Sequence, residues 1–212
     1  MKDIRINLGC GTHAPKHWIN FDSSLRVWVD KMPLLQLARY KRRFPSWVKR
    51  RDLTKRLPFS DGSVHLIYSS HFIEHITHSQ AESLLRECKR ILIPGGRIRI
   101  MTPNLRFSVE NYIARRESTL LKRDAADYFM RWLGVFEDEV EVSRFVQLIR
   151  NIQRKNLHQW LYDENSLRAL MEKCGFQNIE TKDNWVSDFP DLEELEPPDL
   201  RVGSVCAEAS IV

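Results

Sequence analysis

Two strings of residues in this chain have the types and spacing to do chemistry. The first is Asn7-Leu8-Gly9-Cys10-Gly11, a glycine turn that directly follows an alternating apolar segment. Glycines in such a turn let the backbone approach a ligand with no Cβ in the way. With Ala14 the string also satisfies a loose G-x-G-x-x-A dinucleotide pattern, which is weakly specific by itself. A nicotinamide site wants an acid about 20 residues further on, after a full crossover helix. The next acid at a strand end is Asp22, and Pro15 stands between it and the turn. That short spacing disfavours nicotinamide chemistry and leaves a plain tight turn as an alternative. The second string is His71-Phe72-Ile73-Glu74-His75, with His78 three residues later. It reads H-x-x-E-H, an inverted zinc-protease pattern. On a helix, His71, His75 and His78 would share one face. Zinc hydrolysis also needs a third protein ligand in suitable geometry, and no downstream acid is compelling, so no metal is expected.

The elements that must position these residues are legible from periodicity. Strands are expected at Ile4 to Leu8, Trp18 to Phe21, Ser63 to Tyr68 and Arg97 to Met101, the last after the Pro94-Gly95-Gly96 turn. Phe176 to Val186 and Val202 to Ala207 are further candidates. A capping-box pattern, Ser79-Gln80-Ala81-Glu82, opens a helix whose apolar positions are Leu84, Leu85, Cys88, Ile91 and Leu92. Asp163-Glu164-Asn165-Ser166 opens another, carrying Leu167, Leu170 and Met171 and stopped by Gly175. Ser108 to Gln159 is mostly helical in composition. Strands alternating with helices imply an α/β fold with a largely parallel sheet, whose ligands sit at the carboxyl ends of the strands.

Composition sets the outer bounds. The 212 residues are 42% apolar and 29% charged, a globular make-up that fits one domain over 1–212. Cys10, Cys88, Cys174 and Cys206 form no CxxC pair, which argues against a disulfide scaffold or zinc ribbon. The N-terminus has no apolar core of a signal peptide, and a cytoplasmic protein is expected. The net charge of +5 is uneven. From Asp30 to Arg56, ten basic residues face two acids, a local balance of +8. From Glu180 to Asp199, eight acids face one lysine, a balance of −7.

Five stretches in order carry a resemblance. They are Asn7-Leu8-Gly9-Cys10-Gly11, Trp18-Ile19-Asn20-Phe21-Asp22, and Asp52-Leu53-Thr54-Lys55-Arg56-Leu57-Pro58-Phe59. The last two run from Ser63 to His75 and from Leu85 to Gly96. Over roughly residues 3–103 the chain resembles the class I S-adenosylmethionine-dependent methyltransferases, and within them the small bacterial methyltransferase type 11 group associated with glycans and the cell envelope. The resemblance implies a Rossmann-like, mostly parallel seven-stranded sheet with an antiparallel C-terminal strand. The first crossover is shortened to a loop holding His13, Pro15 and His17, and His65 stands where relatives usually carry aspartate.

The resemblance also implies roles. Gly9, Cys10 and Gly11 would cradle the methionine part of the cofactor, and Asp22 would accept hydrogen bonds from both ribose hydroxyls. Asp52 would lie near the adenine amino group and Leu53 against the adenine face. Ser69 would offer its backbone carbonyl to the methionine amine. His71 is a candidate general base, since an imidazole titrates near neutral pH, and His158 is a second. Glu74 and His75 would orient the loop.

With the first strand near Met1, no N-terminal cap is expected, so acceptor recognition falls to helical insertions at about 23–50 and 104–162. The expected reaction is methyl transfer to a small-molecule or glycan acceptor, O-methylation of a hydroxyl first. The alternatives are methylation of another small metabolite, or a catalytically silent cofactor-binding or interaction protein. Within 31–56, Lys41-Arg42-Arg43-Phe44-Pro45-Ser46-Trp47-Val48-Lys49-Arg50-Arg51 sets aromatics among cations. It reads as a solvated face, or as a peripheral contact with anionic lipid at the inner membrane face. No RNA-binding module is recognisable, and nucleic acid ranks last as a partner.

Overall fold

The computed structural model describes residues 3–31, 43–134, 157–182, 187–196 and 201–212. Strand β1 (Arg5–Leu8) is the sheet's first segment in the chain, and its Ile6 and Leu8 are buried. Asn7 between them is buried too, its side-chain amide donating to Asn20 and to the His13 carbonyl. Burial on both faces is what a central parallel strand requires. β1 pairs in parallel with β2 (Ile19–Asp22) on one side and β4 (Val64–Ser70) on the other. β3 (Lys49–Arg50) extends the edge beyond β2. β5 (Leu92–Pro103) pairs in parallel with β4 and antiparallel with β7 (Ser204–Ser210), which in turn pairs antiparallel with β6 (Gln177–Lys182). The seven strands run in the order β3-β2-β1-β4-β5-β7-β6. This is the Rossmann-like α/β sheet expected from the resemblance, with β7 as the reversed strand. Residues 9–18, between β1 and β2, form turns rather than a crossover helix.

Several local expectations shift. Helix α2 (His78–Ile91) is capped by Thr77 and not by Ser79. The Thr77 hydroxyl accepts from the Gln80 backbone amide, and the Gln80 side chain accepts from the Thr77 amide. Thr77 has the extended backbone an N-cap needs, so the box forms two residues upstream. β5 begins at Leu92, directly at the end of α2. The Pro94-Gly95-Gly96 turn is absorbed within it, with Gly95 at φ +75° and a register shift opposite Val64 and Leu66. The 104–162 insertion opens with α3 (Leu105–Glu117) and α4 (Ala125–Trp132). The 23–50 insertion contains α1 (Arg26–Val29). The remainder of both insertions, at 135–156 and 32–42, lies outside the described residues, as do 183–186 of the strand expected to reach Val186.

One face of the sheet packs on α2 and on α5 (Glu164–Lys173), through Leu84, Leu85, Cys88, Ile91, Leu167 and Met171. Asp163 and Ser166 form the capping box of α5. The other face holds Trp18, Tyr68, Phe189 and Leu195, with Leu195 in the short helix α6 (Leu192–Leu195). Here the acidic stretch finds its partners. Asp191 accepts from Arg5 at 2.8 Å and from the Trp18 indole at 2.9 Å. Asp188 pairs with Arg97 at 2.7 Å. Arg99, with 0% of its side chain exposed, is held by Glu196 at 2.6 and 2.8 Å and by Glu208 at 2.5 Å. Three acids of the −7 segment, Asp188, Asp191 and Glu196, therefore pair with strand arginines, while Lys49 and Arg50 of the basic segment form the β3 edge.

Candidate active site

The carboxyl ends of β1, β2 and β4 meet at one edge. Gly9 and Cys10 both donate backbone N–H groups to the Phe21 carbonyl, at 2.9 and 3.0 Å, tying the turn to β2. Gly9 sits at φ +71°, and a Cβ there would come within 2.5 Å of the Phe72 Cβ, so only glycine lets the histidine loop close over the turn. Gly11, at φ +52°, has open space where its Cβ would be. Its amide donates to Asp22 Oδ2 at 2.9 Å, and Ser24 donates to Asp22 Oδ1 at 2.8 Å. Burial raises the pKa of Asp22 above its ordinary value, with those two amides opposing the rise. A half-buried carboxylate beside an open glycine suits a ligand that brings hydroxyl donors, and the site fits S-adenosylmethionine in that respect.

The other expected cofactor residues take distinct places. The Cys10 side chain turns into a small apolar cluster with Ala14, Val27 and Val48. Burial pushes its thiol far above the ordinary range, so it stays protonated. Ser69 is buried at the end of β4, its hydroxyl donating to the Leu8 carbonyl at 3.0 Å. Asp52 is exposed and accepts from the Thr54 amide and hydroxyl. Leu53 is 1% exposed and belongs to the main core, alongside Leu57 and Leu84.

The histidine string does not form one helix. His71 adopts φ +49°, and only Ile73–His75 make a turn of 3-10 helix before α2 starts at His78. His78 packs instead on Trp160, with ring centroids 4.8 Å apart, away from a shared face with His71 and His75. The fold places Glu74 at the centre, fully buried. Its Oε1 lies 3.4 Å from His71 Nδ1 and 3.9 Å from His75 Nε2, and Thr102 donates to its Oε2 at 3.2 Å. Burial opposes the charge on Glu74, but the hydrogen bond and charge of His71, then the charge of His75, outweigh it and hold the carboxyl below its ordinary value. On its far side His71 Nε2 meets the Ser204 hydroxyl at 3.2 Å. His158 comes to the same wall: its ring centroid is 5.0 Å from that of His75. The segment 157–160 docks there because the Gln159 amide donates to the Glu74 carbonyl, and its side chain to the His75 carbonyl. Burial lowers the pKa of His158. The central role of Glu74, and the contributions of Thr102 and Ser204, were not found from sequence. For Glu74 the H-x-x-E-H string was the available signal, whereas Ser204 lies too far along the chain for any local pattern to link it to His71.

Comparison with known proteins agrees with this architecture. The profile of the family described as "Methyltransferase domain" matches residues 6–100. The demethylmenaquinone methyltransferases of Tropheryma whipplei strains Twist and TW08/27 are each 24% identical over 188 residues, covering 84% of this chain and 67% of theirs. An S-adenosylmethionine-dependent methyltransferase from Mesorhizobium loti superposes with a TM-score of 0.51 at 18% identity, covering 98% of this chain and 90% of that one. The CurJ carbon methyltransferase superposes with a TM-score of 0.50 at 12% identity, covering 100% of this chain and 49% of that one. These two structures share the fold. The profile match spans the glycine turn, Asp22 and the histidine loop, the parts that meet at the carboxyl edge. Residues 6–100 thus match a methyltransferase domain, and a sheet of this order carries that domain at its ligand-binding edge, which supports S-adenosylmethionine-dependent methyl transfer.

Proposed function

We propose that the chain methylates a hydroxyl of a small-molecule or glycan acceptor, with His71 as general base. The observation that carries this reading is the pairing of His71 with the buried Glu74 carboxylate, next to the turn that Phe72 closes. S-adenosylmethionine supplies an activated sulfonium methyl group. A hydroxyl acceptor gains from losing its proton as it attacks, and a positioned imidazole can take that proton. The Nδ1 of His71 faces Glu74, which leaves Nε2, now on the Ser204 hydroxyl, as the atom to receive it. The described parts of the 23–50 and 104–162 insertions would form the acceptor side and exclude water from the reacting atoms. The likeness to the Tropheryma whipplei relatives favours a second reading, in which demethylmenaquinone is the acceptor. Calorimetric titration should show S-adenosylhomocysteine and S-adenosylmethionine binding, and NAD not. Turnover on sugar, glycan and quinone panels then separates the two acceptors. A chain that binds the cofactor and methylates none of them would be a silent binder.

On this reading Gly9, Gly11, the backbone of Cys10 and the Ser69 carbonyl hold the methionine part, Asp22 the ribose, and Asp52 and Leu53 the adenine. Replacing Asp22 with alanine should weaken S-adenosylhomocysteine binding about 10- to 100-fold, since hydrogen bonds to a charged group are worth roughly 1.5–3 kcal/mol. Acidification should do the same in wild type. Hydroxyl donors favour the ionised carboxylate, so affinity is full above the pKa of free Asp22 and falls as pH drops through it. Because burial raises that pKa, the loss begins at a higher pH than an ordinary aspartate would give. Titrations across an acidic pH series, with Asp22→Ala as the flat control, check this.

We also propose that the basic edge meets anionic lipid. Trp28 and Trp47 are 55% and 42% exposed, and the Arg50 guanidinium lies 4.3 Å from the Trp28 ring centroid. Lys49 and Arg50 of β3 are exposed beside them. Apolar rings flanked by cations suit an interface with negative headgroups. The chain should co-sediment with vesicles containing anionic phospholipid and not with neutral ones, and Trp28→Ala with Arg50→Glu should release it. Equal recovery with both vesicle types would remove this proposal and leave a solvated face.

A further inference from the structure

We propose that Glu74, His75 and His158 form a binding site for a divalent transition-metal ion of the zinc type. Each of the three residues offers one ligand atom, and these atoms lie within 4.8 Å of one another. An ion held tetrahedrally by bonds near 2.1 Å keeps its ligands about 3.4 Å apart, so side-chain rotations that draw the atoms together by up to about 1.4 Å complete the site. This set differs from the face of His71, His75 and His78 that the string H-x-x-E-H suggests, because the loop geometry sends His78 to Trp160.

Three observations make the cluster a ligand set and not a chance meeting. First, the histidines are oriented from behind. His158 Nδ1 lies 2.6 Å from the Leu133 carbonyl and His75 Nδ1 lies 3.4 Å from the Leu157 carbonyl. A carbonyl only accepts, so Nδ1 carries the proton in each ring and Nε2 keeps its lone pair. Imidazoles that ligate metals are commonly fixed in this way. Second, Glu74 is fully buried, and the nearest histidine nitrogen to its Oε1 is His71 Nδ1 at 3.4 Å. That oxygen has two lone pairs, so the approach of His71 leaves it capacity for an ion. Third, the cluster joins two chain segments far apart in sequence, and an ion there would clamp 157–160 to the loop after β4. Three protein ligands leave the fourth position of a tetrahedral ion for a water or an acceptor oxygen. The proposal does not depend on the choice of acceptor.

The test uses the full chain, freed of metal with a chelator and titrated with Co²⁺, then with Zn²⁺ in competition. We expect one Co²⁺ per chain, with the visible absorption of a tetrahedral site, displaced by Zn²⁺. His75→Gln and His158→Gln should each weaken binding roughly 100-fold or more, since each removes a direct ligand and even supporting groups are worth 10- to 100-fold. His17→Gln, at a histidine that pairs with Asp191, should bind as wild type does. Circular dichroism and thermal midpoints establish that each variant is folded; either histidine variant alone suffices if the other is not. Failure of wild type to take up stoichiometric Co²⁺, or uptake unchanged in a folded His75→Gln or His158→Gln, would overturn the site.

Discussion

Replacing Arg99 with alanine should destabilise the protein by about 3–5 kcal/mol, the usual cost of removing one partner from a buried ion pair. Arg99 is in the middle of β5, with its guanidinium enclosed by Glu196 and Glu208. Burial opposes its charge, but the Glu196 hydrogen bonds outweigh that, and the group stays protonated. Alanine would leave the Glu196 carboxylate buried without the Arg99 guanidinium on it. Glu208 would fare better, because Arg97 also donates to it at 2.9 Å. The cost therefore falls mainly on the hold over 187–196. In a chain of this size it should lower the thermal midpoint by roughly 6–20 °C. The double variant Arg99→Met with Glu196→Met should recover most of the loss, since well-packed apolar residues often replace a buried pair at little cost. If the double variant is no more stable than the single one, the buried charge is not the cause. Scanning calorimetry of the three proteins decides this.

The second large effect is expected at His71. His71→Asn should lower kcat about 10²- to 10⁴-fold on a hydroxyl acceptor, the range over which a general base contributes. Asparagine is the informative replacement, because it tolerates the left-handed backbone that His71 adopts at φ +49° and so spares the loop. Binding of S-adenosylhomocysteine should change by less than about threefold, since the side chain faces Glu74 and Ser204 and the expected effect is on chemistry. The rise of wild-type kcat with pH, as the base loses its proton, should vanish in the variant. A variant that retains both the rate and the pH profile would remove His71 from the reaction and favour an acceptor that needs no base.

The cofactor half of this protein was readable because its signals are local. Ile6 and Leu8 alternate with Asn7, glycines follow at once, and Asp22 closes the next strand in the chain, which pairs with the first. The need for Gly9 and Gly11 is also local, a matter of positive φ, although the contact that forbids a Cβ at Gly9 comes from Phe72. Helix starts were legible to within two residues: Asp163 caps as its string suggests, while Thr77 takes the cap expected of Ser79 because both hydroxyls precede the same apolar face.

By itself, then, the sequence determined the α/β alternation, the glycine turn with its acid, the shortened first crossover and the presence of a histidine-rich loop. Only the tertiary structure decided what the histidines do together. A helical reading groups His71, His75 and His78, but a left-handed residue and one 3-10 turn break that register, and His158 packs against His75 from a segment far along the chain. It likewise decided that Asp191, Asp188 and Glu196 of the acidic stretch pair with Arg5, Arg97 and Arg99 across the sheet. Periodicity and capping reflect energies between residues three or four apart, whereas these pairings join residues some eighty to two hundred apart, brought together by the order in which the strands pack.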